Sequence, residues 1–357
     1  MTSEKLIERL CAEFGPTGCE SAVAELIKKE IADVCPDAKY DRMGNLIAPM
    51  RFGDLAAADR KRIMVSAHTD EVGFMITEIK KGGYLGVGTV GGISESVLAG
   101  RRVRVLGKGN TFLNGAIASK AIHHKTKEEE KKPTPIKDLY IDIGATDVQS
   151  ASELVRVGDF AAFDSEFYGF GDGYVKGKAL DDRMGCAAMI EAMRSLARKP
   201  IEENVDVCFC FTVREEIGLS GAKAAAFELR PHAAIVLETT AVADIADVSA
   251  ARRVADTGAG VVVSVMDRST IYSKEMIELA MSTAKSAGIA AQLKRYVSGG
   301  NDAGTIHKEV GGIKTVALSV PTRYLHSPAC VAKMSDYFAQ RDLCEALVRE
   351  LSRKLTV

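Results

Sequence analysis

Net charge, long apolar runs and paired cysteines are all scarce in this chain of 357 residues. Lysine and arginine number 47 against 48 aspartates and glutamates, so nothing favours nucleic acid or an anionic membrane surface as a partner. The first residues, Met1-Thr2-Ser3-Glu4-Lys5-Leu6-Ile7-Glu8, mix charge with apolar side chains at helical spacing. Neither a signal peptide nor a transmembrane span is expected. Cysteines stand at 11, 19, 35, 186, 208, 210, 330 and 344, without a CxxC pair or the spacing of a disulfide framework. They read as buried thiols of a cytoplasmic protein. Cys208 and Cys210 share one face of an expected strand, where packing explains them better than metal does.

What is present is an ordinary globular composition, 46% hydrophobic and 27% charged, long enough for one large domain and a smaller one. Helical spacing is expected over 4–12 and 20–34, broken at Gly15-Pro16-Thr17-Gly18. A strand is expected over 41–50, and the apolar run 62–67 ends at His68-Thr69-Asp70. From about 72 to 163 the segments turn short, β-rich and glycine-separated, which reads as a compact β domain inserted into an α/β one made of residues 1–71 and 164–357. After it, helices over 183–198, 221–229, 274–286 and 335–355 alternate with strands over 205–213, 233–237, 260–265 and 315–320. That alternation implies a mostly parallel sheet sandwiched by helices.

Two stretches of the insertion invite over-reading. The run Lys125-Thr126-Lys127-Glu128-Glu129-Glu130-Lys131-Lys132-Pro133 carries three acids in its middle and reads as a solvated loop or helical turn, not a nucleic-acid contact. Gly86-Val87-Gly88-Thr89-Val90-Gly91 matches GxGxxG, but a strand follows it instead of a helix, and no acid occurs over 104–113. It reads as hairpin chemistry and not as a dinucleotide site.

The chemistry gathers around Gly177-Lys178-Ala179-Leu180-Asp181-Asp182-Arg183-Met184-Gly185. Two acids before a helix are ordinary caps. Here, however, expected strand ends also deliver His68 with Asp70, Glu215 with Glu216, Glu238, and His326. Carboxyl ends of buried strands are where open α/β sheets place their sites. Adjacent glutamates at the end of a run as apolar as Val207-Cys208-Phe209-Cys210-Phe211 are informative, because one can bind metal while the other remains a base. Imidazole and carboxylate without thiolate suit Zn, Co or Mn. A bridging acid flanked by two ligand sets suits two ions about 3.5–4 Å apart.

These residues carry a resemblance to the M42-type metallo-aminopeptidases, the tetrahedral (TET) and glutamyl aminopeptidases, some of which have been labelled endoglucanases. It rests on Ala67-His68-Thr69-Asp70-Glu71-Val72-Gly73, Lys178-Ala179-Leu180-Asp181-Asp182-Arg183, Arg214-Glu215-Glu216-Ile217-Gly218, Gly299-Gly300-Asn301-Asp302-Ala303-Gly304 and Val320-Pro321-Thr322-Arg323-Tyr324-Leu325-His326-Ser327-Pro328. With Gly15-Pro16-Thr17-Gly18 they run in the family order over nearly the whole chain. The resemblance implies two divalent ions per subunit, one held by His68 and Glu238, the other by Glu216 and His326, with Asp181 bridging. It makes Glu215 the general base and acid, Asp70 the carboxylate that orients His68, and Asp182 a partner of the turn after the bridge. Glu238 departs from a position often filled by Asp. The implied reaction is removal of one residue from a peptide with a free amino terminus, and the implied insertion is a PDZ-like dimerisation barrel whose dimers build a twelve-subunit shell.

The remaining candidates are weighed on weaker grounds. His232 reads as structural, and His123 and His124 lie near the charged loop. Asp302 and His307 follow a glycine-rich segment that borders the site in the family. Arg323 and Tyr324 stand near His326 and are candidates for lining the substrate pocket, with packing as the alternative. Two other activities compete: a related di-metal deacylase or carboxypeptidase, and a glycoside hydrolase, which needs only a carboxylate pair flanking its bond.

Overall fold

The computed structural model describes residues 1–57 and 60–355. Strand Lys61–His68 lies between Val205–Thr212 and Ala233–Ala241, parallel to both, and Lys314–Arg323 extends the parallel set beyond Ala233–Ala241. The rims are antiparallel: Leu46–Phe52 pairs with Val205–Thr212, and Cys330–Lys333 and then Tyr174–Gly177 follow Lys314–Arg323. The parallel pairing expected from the sequence is therefore confined to four central strands and the short outer pair Val261–Val263 with Ala291–Leu293.

Alternation along these strands sorts side chains onto two helical layers. Ile63, Val65, Val207, Phe209, Phe211, Ile235, Leu237, Val316 and Leu318 pack under Ser3–Ala12, Ser21–Glu30, Leu180–Arg198, Lys274–Ala287 and Met334–Lys354. Met64, Cys210, Ala234, Val236 and Ala317 face Ser220–Leu229 and Ala303–Ile306. Small residues, Gly185, Ala187, Ala188 and Ala192, let the helix Leu180–Arg198 lie close over the sheet, where it is buried for most of its length. Among the described residues no helix is long and apolar enough to cross a membrane.

Between Gly73 and Phe163, six strands close a barrel around Phe74, Leu85, Val103, Val105, Ile117, Ile141 and Phe163. Phe74 meets Phe163 edge to face, centroids 5.3 Å apart. The GxGxxG run forms the strand Leu85–Val90, paired on one edge with Gly73–Ile79 and on the other with Tyr140–Asp142, so its glycines cradle no phosphate. The charged run forms one helical turn, Lys127–Glu130, capped by Thr126 and exposed on all sides.

Where the barrel leaves the sheet layer, a buried ion cluster ties three segments together. Lys178 Nζ donates to both oxygens of Glu71, at 2.6 and 2.8 Å, and to the Glu13 carbonyl. The fully buried Arg183 donates to Thr69, Leu10 and Glu13 carbonyls, with Nη2 3.5 Å from Glu71 Oε1. Glu71 also exchanges backbone hydrogen bonds with Gly15 and Thr17. Removing one member strands an uncompensated buried charge, a loss of about 3–5 kcal/mol. In denaturant titrations of metal-free protein, Lys178→Met is expected to cost that much, and Lys178→Met with Glu71→Gln to recover part of it. A double variant no better than the single one would sink the assignment.

Candidate active site

Parallel strands that all end at one edge bring their next residues together, and the register fixes how. Thr212 lies beside His68, so the turn that follows delivers Glu215 and Glu216 next to it. Glu238 stands on the strand at the other side of His68's, opposite Ser319 of the next strand. After Arg323 the chain turns through left-handed residues Tyr324 and His326, which aims the second imidazole back at the edge.

At the start of the helix Leu180–Arg198 the two adjacent acids divide their tasks. Asp181 and Asp182 have non-helical dihedrals and are joined by a cis peptide. Asp182 Oδ1 accepts the Gly185 N–H at 3.1 Å, which is the ordinary capping role. Its other oxygen is buried without a partner, and Asp182, His68 and Glu238 each bring one atom able to bind a metal within 4.8 Å of the others. Asp181 turns outward: Oδ1 lies 3.2 Å from His68 Nε2 and Oδ2 lies 3.4 Å from His326 Nε2. Each imidazole has a second carboxylate beside it, Glu238 at 3.6 Å from His68 and Glu216 at 3.3 Å from His326.

Such crowding is electrostatically costly. Burial and then Asp181 push Glu238 up to about 8, and the same two causes, opposed by His326, push Glu216 up to about 7. Asp181 is held well below the carboxylate range in spite of burial, by His326 and His68. Burial alone would lower His68, but Glu238, Asp181 and Asp70 raise it well above the usual imidazole range. Divalent cations would take over the compensation that protons supply here, and the donor set of carboxylate and imidazole without thiolate fits them. Burial raises Glu215 well above the usual carboxylate range, with Glu238, Glu216 and Asp302 adding to the rise and His68 opposing it.

Asp70 organises the surroundings. Its two oxygens accept the Glu215 and Glu216 N–H groups, each at 3.1 Å, and Oδ2 accepts the Thr17 hydroxyl at 2.7 Å. Toward His68 Nδ1 it presents its backbone carbonyl at 3.1 Å and its carboxylate Oδ1 at 3.5 Å. The Gly15-Pro16-Thr17-Gly18 turn thereby gains a task that its sequence position did not disclose.

A cavity of about 610 Å³ opens over these groups, lined by Asp181, Glu215, Glu216, Glu238 and His326 together with Thr240, Lys294, Ser298 and Asn301. A larger one, about 720 Å³, sits at the opposite end of the sheet between Arg62, Arg230 and Lys314, and none of the convergent acids lines it. Arg323 and Tyr324, weighed for the substrate pocket, do not line the smaller cavity, and neither do Asp302 and His307, although Gly299, Gly300 and Asn301 of the segment before them do. Arg323 forms a two-pronged pair with Asp244 at 2.8 and 3.0 Å, because the strand runs past the apolar stretch and carries it into pairing with Val331. Tyr324 is exposed and gives its carbonyl to the Ser327 hydroxyl. Asp302 is buried against the Thr212 hydroxyl at 2.6 Å, and His307 Nδ1 sits 2.6 Å from the Ala303 carbonyl. His232 is structural, its Nδ1 accepting the Arg62 N–H. Lys294 was not singled out from sequence. Its only signal was proximity to the glycine-rich run at 299–300.

A parallel-sheet layer gathers two imidazoles and several carboxylates at one edge, beside a closed barrel, a donor set that suits a metal-dependent hydrolase. The chain belongs to the M42 family: the model described as M42 glutamyl aminopeptidase matches residues 44–343. A provisionally named aminopeptidase of Acetivibrio thermocellus is 37% identical over 331 residues, 93% of this chain and 94% of its own length. The TET aminopeptidase of a marine sediment Thaumarchaeota archaeon superposes with a TM-score of 0.92 at 34% identity, covering 98% of this chain and 96% of the other. The TET1 peptidase of Pyrococcus horikoshii, described as able to assemble into a tetrahedron or a large octahedral shell, gives a TM-score of 0.86 at 36% identity, covering 98% of this chain and all of the other. The chain is thus a peptide hydrolase of the aminopeptidase class.

Thr17→Val keeps shape and removes the hydroxyl that serves Asp70. The expected outcome is a loss of about 1–3 kcal/mol in unfolding free energy, the cost of removing one hydrogen bond to a buried carboxylate whose Oδ2 keeps only the Glu216 N–H. A weaker grip on zinc in calorimetric titration should accompany it, because such outer partners tune ligands. Unchanged stability and zinc affinity would contradict the role given to Thr17.

Proposed function

We propose that this protein removes single residues from the amino end of short peptides, with two divalent ions, Zn, Co or Mn, at the converging edge. The observation that carries the reading is Asp181, whose two oxygens face two different imidazoles, each with its own second carboxylate. His68 and Glu238 would share one ion with Asp181, and His326 and Glu216 the other. Bound there, the ions would supply Lewis acidity to the scissile carbonyl and acidify the attacking water.

The rest is the work of the chain. Glu215 is held next to the ligands by its N–H bond to Asp70 and takes the proton from the water. It then returns that proton to the departing amine nitrogen as the C–N bond breaks. Asp70 keeps Glu215 and Glu216 in fixed relation, so that the base stays beside the ions without joining them. The barrel is proposed as a dimerisation domain, and the assembly as a homo-oligomer, in line with the shell described for the Pyrococcus horikoshii peptidase. A closed shell of twelve subunits would restrict substrates to peptides.

The lining also favours one kind of first residue. Asp181, Glu216 and Glu238 are committed to ions and Glu215 to the proton, which leaves Lys294 as the lysine or arginine facing the cavity among its lining residues. Its ammonium is half-buried and donates to the Ser298 carbonyl at 2.7 Å, which fixes its place. Burial pulls its pKa down while Asp267 and Glu238 oppose that pull. An acidic first side chain would satisfy this cation, and a basic one would meet repulsion.

The primary test is a panel of aminoacyl chromogenic amides, each free and N-acetylated, with metal-loaded and chelator-stripped enzyme. Activity on free amines alone, lost on chelation and restored by Co or Zn, is expected, with Glu215→Gln reduced at least a hundredfold while still binding metal. Equal cleavage of acetylated substrates would instead indicate the deacylase reading, and indifference to chelator a glycosidase-like or other metal-independent site.

Within the same panel glutamyl and aspartyl amides should lead. Lys294→Met should lower kcat/KM for them by about ten- to a hundredfold and leave alanyl amide nearly unchanged. Lys294→Arg should retain the acidic preference. A wild type fastest on lysyl amide would refute the assignment.

A further inference from the structure

The two imidazoles at the site are steadied from different parts of the fold. His68 Nδ1 faces Asp70, its neighbour in the same sheet layer, at 3.1 Å from the carbonyl. His326 Nδ1 instead lies 2.6 Å from the carbonyl of Gly92, in the turn that follows the barrel strand Leu85–Val90. A ring nitrogen facing a carbonyl must carry the proton, which leaves Nε2 as the lone-pair nitrogen directed at Asp181 and Glu216.

The turn reaches this position because of Gly91. Its φ is +83°, and a Cβ there would lie 2.7 Å from Val72 Cγ1 and 3.3 Å from Glu216 Cβ and Oε2. No other residue passes so close to Glu216 in that conformation without displacing something. At Gly92 a Cβ would meet only ordinary contact, 3.6 Å from His326 Nδ1. The last glycine of the GxGxxG run is therefore the point where the barrel abuts the ligands, and Gly92 and Ser94 line the cavity itself.

We propose that the Gly91-Gly92 turn of the barrel is a positioning element of the active site, holding His326 in the tautomer and orientation in which Nε2 binds metal. The ion at Glu216 and His326 then depends on how the barrel is seated, whereas the ion at His68 and Glu238 does not. This rests on the two-ion reading given above.

The experiment is a calorimetric zinc titration of the metal-free full chain, with thermal melting of the same samples as a check on folding. Wild type is compared with Gly91→Ala, Gly91→Val, His326→Ala and Gly88→Ala. Gly88 lies on the same strand, and a Cβ there makes only an ordinary contact with Thr77. Expected are two binding events in wild type and in Gly88→Ala, and one event weakened about tenfold or more in Gly91→Ala, the other unchanged. That pattern would match the one that His326→Ala loses. Gly91→Val should be more severe, and Gly91→Ala decides the matter if the valine variant does not fold. The inference is overturned if Gly91→Ala binds both ions like wild type, or weakens both equally with unaltered melting. A wild type whose zinc uptake His326→Ala leaves untouched would refute the two-ion reading and this inference with it. Loss in His326→Ala but not in Gly91→Ala refutes this inference alone.

Discussion

Glu71, Lys178 and Arg183 form a salt-bridged cluster that is almost completely excluded from solvent, within three residues of Asp70 or Asp181 in sequence. None of the three faces the cavity of the convergent acids, yet each flanks a residue that does or that supports one. Burying such charges is costly unless every donor and acceptor is met. Here Arg183 reaches three backbone carbonyls, and Lys178 reaches both oxygens of Glu71 and a fourth carbonyl contact at Glu13. The result is a joint between the amino-terminal helix, the end of a central strand and the start of the helix Leu180–Arg198 over the sheet. Sheet pairing sets the register of the strand that carries His68, and this joint ties the turn that carries Asp181 to that strand end.

That fixed joint explains how several carboxylates can be held so near each other. Asp181, Glu216 and Glu238 would separate if their backbones were free, since burial and mutual repulsion act on all of them. The supports are backbone groups and neutral hydroxyls more than counter-charges. Thr17 and the Glu215 and Glu216 N–H groups satisfy Asp70, and Gly185 satisfies one oxygen of Asp182. Supports of this kind leave the net negative charge of these carboxylates uncancelled, which suits the site to cations.

That His68, Glu215, Glu216 and Glu238 meet was legible in the sequence because they follow apolar runs, and strand ends in a parallel sheet share one edge. The parallel centre of the sheet was legible for the same reason, through apolar runs such as 207–211 in which only Cys208 is less than fully buried. Arg323 misled because the strand Lys314–Arg323 continues three residues beyond its apolar stretch, and antiparallel pairing with Cys330–Lys333 places the arginine beside Asp244. Lys294 escaped notice because it follows a strand of three residues, Ala291–Leu293, too short for a pattern. The partners of Asp70 were hidden too: Thr17 is 53 residues away, and contact at that separation leaves no local signature.

Placement of the barrel in the chain has a structural consequence. It is inserted directly after His68-Thr69-Asp70 and returns through the strand Tyr174–Gly177 just before Asp181, so both of its connections leave from the edge at which the ligands converge. An insertion at the opposite end of the sheet, near the cavity of Arg62 and Arg230, could swing freely without touching the chemistry. One rooted at the ligand edge cannot, because the loops nearest its root are necessarily walls of the cavity. Gly92 and Ser94 are such walls, and Val72, at the root itself, packs where a side chain at Gly91 would intrude. A barrel that is also a contact between subunits would transmit any change in its seat to the nearest ligands, Glu216 and His326, before it reached His68, which is braced from within the sheet layer.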